Sequence, residues 1–112
     1  MNDVLVSDAD VEKALDFLRD NAREIGEAKR EAVKADHMLK HIRAIAMKHS
    51  GESSAAAQER EALASDLYIK AIEAAANAAG VYEQMKALRE AAALKIETWR
   101  SASANYRAMR IG

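Results

Sequence analysis

The chain has 112 residues, 17 basic and 18 acidic, for a formal net charge of -1, and it contains neither proline nor cysteine. The length sets one domain as the upper limit. Missing cysteines exclude disulfides, thiolate metal sites and thiol catalysis, and the charge balance lacks the excess of a protein that coats nucleic acid. Half the residues are hydrophobic, but 26 of those 56 are alanine. Alanine buries little area, so the expected core is thin and self-association or a partner is expected to supplement it. No apolar run reaches membrane-spanning length and none near the N-terminus reaches that of a signal peptide, so a cytoplasmic protein is expected.

Met1 to Val6 read as a frayed tail. Ser7-Asp8-Ala9-Asp10 is a helix start, with Ser7 as cap and two acids at the positive helix end. From Val11 the apolar residues recur every seven. One row is Val11, Leu18, Ile25, Ala32, Leu39 and Ala46; its companion is Ala14, Asn21, Ala28, Ala35, Ile42 and His49. This is a coiled-coil-like seam in which Asn21 is the polar, register-setting member. Phe17, Met38 and Ile45 widen the stripe. The pattern predicts a helix over 8–49.

Ser50-Gly51-Glu52-Ser53-Ser54 is the predicted turn, with Gly51 as helix stop and Ser53 or Ser54 as the new cap. A second helix is predicted over 54–110. One of its rows is Ala57, Ala64, Ala71, Ala78, Met85, Ala92, Trp99 and Tyr106; the other runs through Leu67, Ala74, Val81 and Leu88 to Lys95, Ala102 and Met109. Tyr68, Ile72, Ala75, Ala79 and Tyr82 make a further apolar line, and two lines imply more than one neighbouring helix. The smooth face of Ala64, Leu67, Ala71, Ala78, Val81 and Met85 is the expected oligomer interface. Gly80 costs about 1 kcal/mol relative to alanine inside a helix. The fold expected is all-α, an extended antiparallel two-helix hairpin in a single domain over 1–112. The alternative is a three-helix bundle broken at Gly80.

Charge gives the same arrangement. Asp8, Asp10, Glu12, Asp16 and Asp20 fall opposite Lys86, Arg89 and Lys95, and the basic second half of the first helix falls opposite Glu59, Glu61, Asp66 and Glu73. Such exposed pairs set register more than stability. The second helix is expected to overshoot the first over Glu97 to Arg110.

That overhang is the most distinctive segment. From Lys86 onward there are six basic and two acidic residues. Trp99 and Tyr106 share a face beside Arg100, Arg107 and Arg110, and aromatic platforms next to guanidiniums are what single-stranded nucleic acid binding uses. Arginine and tyrosine also mark protein interfaces. The expected partners are therefore a second copy of the chain and either single-stranded nucleic acid, a nucleoprotein complex, or another protein, with no membrane partner. His37 and His41 are four apart but crowded by Lys34, Lys40 and Arg43 and are read as solvated, so no metal or other cofactor is expected. No Gly-rich phosphate loop, nucleophile elbow or His-Glu-x-x-His occurs, and the expectation is that the protein is not an enzyme.

The half from Glu61 to Arg110 resembles small uncharacterised all-helical phage and prophage proteins. The resemblance lies in Val81 to Leu88 (VYEQMKAL), in Arg89-Glu90-Ala91-Ala92, and in Glu97-Thr98-Trp99-Arg100 followed by Ser103-Ala104-Asn105. Such proteins tend to be encoded near phage DNA replication or recombination genes. The resemblance implies a phage accessory protein working in the host cytoplasm, and it assigns no catalytic residue.

Overall fold

The computed structural model describes residues 6–111, so the expected frayed tail lies, but for Val6, outside the described residues. Among the described residues there are three helices, α1 Asp8–Lys48, α2 Ala55–Leu63 and α3 Asp66–Ile111, and no strand. The fold is all-α, a helical hairpin whose long arms α1 and α3 pack together. It divides into two compact units, Met1–Ile25 with Gln84–Gly112, and Gly26–Glu83.

α1 starts at a reciprocal cap. The Asp10 N–H donates to the Ser7 hydroxyl at 3.1 Å, and the Ser7 N–H donates to the Asp10 carboxylate at 3.0 Å. This is a capping box with aspartate in the place of the usual glutamate, satisfying two donors that the helix itself leaves unpaired. The Ser7 backbone N–H, then the Ser7 hydroxyl, hold the Asp10 carboxyl below its ordinary value of 3.8, and Lys95 and Lys13 add smaller effects in the same direction. A lowered folded-state value means that the carboxylate stabilises the helix start fully above the unfolded value. That contribution disappears as pH falls below about 3.8 and through the folded-state value. Amide exchange in the first turn of α1 is therefore expected to quicken in that acid window, and Asp10→Asn is expected to remove the pH dependence. An unchanged profile in the variant would show that Asp10 is not the group responsible.

In the first unit, Val11, Ala14, Ile25 and Ala92 are buried. They belong to the sevenfold rows of α1 and α3, with Leu18, Met85, Ile96 and Trp99 half-buried beside them. Asn21 does not bond across the seam. Its side-chain amide turns back and donates to the Phe17 carbonyl at 3.1 Å, a local bond that competes with an interhelical one. In the second unit, Ala46 and Ala62 are buried. Ala28, Ala32, Ala35, Leu39 and Ile42 of α1 and Ala71, Ala75, Ala78 and Tyr82 of α3 are half-buried. Both α1 rows are thus the buried ones, His49 excepted, which is exposed.

The turn is built as its composition demands. Gly51 adopts φ 76°, the left-handed conformation that ends many helices. The Ser50 hydroxyl donates to the Met47 carbonyl at 2.8 Å and accepts from the Glu52 N–H at 3.2 Å. Ser54 caps α2 by accepting from the Ala57 N–H at 3.1 Å. Arg43 of α1 then meets Glu59 of α2 at 3.7 Å, as the expected charge opposition requires.

The second arm differs from the uninterrupted helix expected over 54–110. It breaks at Ala64–Ser65. The Ser65 hydroxyl donates to the Ala62 carbonyl at 2.7 Å and accepts from the Tyr68 N–H at 3.2 Å, so one side chain stops α2 and caps α3. Asp66 follows at the positive end of the new helix. Gly80, the position of the expected alternative break, lies within α3 with helical residues on both sides.

Candidate partner-binding surface

α3 turns its row 71, 78, 85, 92, 99 inward, and Trp99 is where that row meets the start of α1. Its indole N–H donates to the Asp8 carboxylate at 2.8 Å, and the ring is half-buried. Of the expected site residues, Trp99 alone reaches across to α1. Trp99 is engaged within the chain, so the free part of the arm begins after it rather than at Glu97. Removing the acceptor by Asp8→Ala is expected to shift Trp99 fluorescence to the red while α1 keeps its helicity. An unmoved spectrum would mean that the contact does not hold the ring.

Arg100 follows on the outer side and pairs with Glu97 three residues back at 3.7 Å, with both side chains largely exposed. Tyr106 lies one heptad beyond Trp99, about 10 Å further along the axis, and is 62% exposed. The Arg110 guanidinium carbon lies 5.7 Å from the centroid of the Tyr106 ring, a cation–π contact along one helix face. Arg107 is exposed and has no ion pair among the described residues. Met109, absent from the expected site, is 79% exposed; its place seven residues after Ala102 gave it to an apolar row and hid it as a surface residue. A shallow open depression runs along this helix from Trp99 to Arg107.

The residues expected at an oligomer interface separate. Ala71, Ala78 and Met85 are half-buried on the inward row, so the protomer already uses them. Ala64 is the C-cap of α2, outside any helix. Leu67 and Val81 remain 43% and 52% exposed. His37 and His41 are both exposed on α1. Among the described residues no three His, Asp or Glu side chains converge as metal ligands, and no helix is long and apolar enough to cross a membrane.

Comparison of the chain with protein-family models, with curated proteins and with solved structures returns no match.

Proposed function

We propose that the chain is a non-enzymatic, phage-type accessory protein of the host cytoplasm. It self-assembles and acts by binding, and its contact is the arm of α3 beyond Trp99. One observation carries the reading. α3 continues for 12 residues after Trp99 (111 − 99), and from Arg100 to Arg110 every side chain but the half-buried Ser103 is exposed. The phage assignment is supported by the resemblance of Glu61 to Arg110 alone.

The partner proposed first is single-stranded nucleic acid, free or in a nucleoprotein complex. Tyr106 supplies a stacking surface, and Arg107 and Arg110 supply phosphate contacts. With Trp99 held by Asp8, the platform is one ring instead of two. A gel-shift titration at several salt concentrations tests it. Tyr106→Ala is expected to weaken binding by about 1–3 kcal/mol, roughly five- to 150-fold. Arg107→Glu is expected to flatten the salt dependence as well. Absence of binding at low salt, or binding indifferent to Arg107→Glu, removes the nucleic-acid reading.

The second reading, an adaptor or inhibitor that docks on a phage or host protein, is favoured by Met109. A methionine 79% exposed beside Tyr106 suits an apolar protein groove better than a phosphate backbone. Co-purification of one protein after nuclease treatment, lost on Met109→Glu, is the result expected from it.

A further inference from the structure

α1 and α3 distribute their apolar residues differently. Those of α1 lie mainly to one side, whereas α3, unbroken from Asp66 to Ile111, carries a second set away from its inward row. Three adjacent sevenfold rows, at positions 74, 81, 88, at 77, 84, 91, and at 80, 87, 94, contain no charged residue, and all nine positions are exposed. Val81, Leu88 and Leu94 are 52%, 51% and 67% exposed. The charges of this stretch, Glu83, Lys86, Arg89 and Glu90, fall on the remaining rows. Such a band covers about 100° of the helix circumference, the width by which a helix packs on a neighbour.

We propose that this face pairs antiparallel with the same face of a second copy, α3 on α3, about a twofold axis at Gln84. Two observations select that occupant and that direction. The first is charge. Glu73 and Lys95 bound the face, each 11 residues from Gln84 (84 − 73 and 95 − 84). An antiparallel pair sets Glu73 of each copy level with Lys95 of the other, twice over; a parallel pair in register sets glutamate beside glutamate.

The second is Gly80. A Cβ added there would meet nothing within 4 Å, so the protomer's own packing gives no reason for a glycine in mid-helix, which costs about 1 kcal/mol relative to alanine. The antiparallel register brings Gly80 and Leu88, four residues either side of Gln84, level with each other across the pair. The leucine of one copy then fills the space left by the missing side chain of the other.

The inference deepens the self-assembly reading and rests on it. Light scattering of the whole chain is expected to give a dimer mass, and Leu88→Glu, at an exposed position, a monomer of unchanged helicity. The chain has no cysteine, so single introduced thiols report orientation. Gln84→Cys is expected to join two copies through a short bifunctional reagent. Ala74→Cys is expected not to, because position 74 lies level with position 94 of the other copy, about 30 Å from its own counterpart. A monomer mass for the native chain overturns self-assembly and this face together. A dimer that survives Leu88→Glu overturns the face alone, and efficient cross-linking through Ala74→Cys overturns the antiparallel direction.

Discussion

Ile25→Ala is expected to lower the unfolding free energy by about 2–3 kcal/mol, the lower part of the range for removing most of a buried isoleucine. Ile25 is 3% exposed and is the most buried large side chain in a core otherwise made of Val11 and alanines. The seam is thin and most of its other large members are only half-buried, so the void closes in part and the cost stays below the maximum. The loss is still severe, because a domain of this size has little stability to lose. Urea denaturation followed by circular dichroism measures it. A change below about 0.5 kcal/mol, as at an ordinary surface position, would mean that the seam between the long helices is not packed at Ile25.

Ala62→Leu is expected to cost about 1–3 kcal/mol by overpacking. Ala62 has no exposed surface, and its carbonyl accepts both the N–H and the hydroxyl of Ser65 at the junction of α2 and α3. A larger side chain there lifts α2 and strains the junction together. Ala56→Leu, on the same short helix but exposed, is the control and is expected to stay within about 0.5 kcal/mol of the parent. Equal effects at the two positions would remove the special place given to Ala62.

The comparison of expectation with structure turns on where the sevenfold pattern is ambiguous. In α1 the large residues Val11, Leu18, Ile25 and Leu39 occupy one row and Ile42 its companion, and burial follows those two rows. In α3 the row through Ala71 and Ala92 has apolar companions on both flanks. Leu67, Val81 and Leu88 flank it on one side, and Tyr68, Ala75 and Tyr82 on the other. The larger aliphatic side chains drew the expectation outward, yet the structure pairs the Tyr68 side with α1 and leaves Leu67, Val81 and Leu88 exposed. Periodicity alone does not choose between two flanks that both fit.

The break at Ala64–Ser65 has a local signature in the sequence. Ser65-Asp66 repeats the Ser7-Asp8 dipeptide that marks the start of α1. The alanines at 57, 64 and 71 keep their spacing across the break and conceal it. The role of Trp99 was not legible, because its acceptor, Asp8, is 91 positions away. That contact depends on the register of the whole hairpin, which composition and charge fix only to within a turn or so. Folding the chain evenly about Gly51 sets Asp8 level with position 94, and the structure sets it at Trp99.

The arm of α3 beyond Trp99 is the proposed place where a partner is held. Ending the chain after Arg100 keeps Trp99, Asp8 and the seam while deleting Tyr106, Arg107, Met109 and Arg110. Fluorescence anisotropy of a labelled single-stranded oligonucleotide, titrated with the full and the shortened chain at low salt, is the direct comparison. The expected result is saturable binding by the full chain and none by the shortened one at equal helicity. Equal affinity of the two would contradict the account.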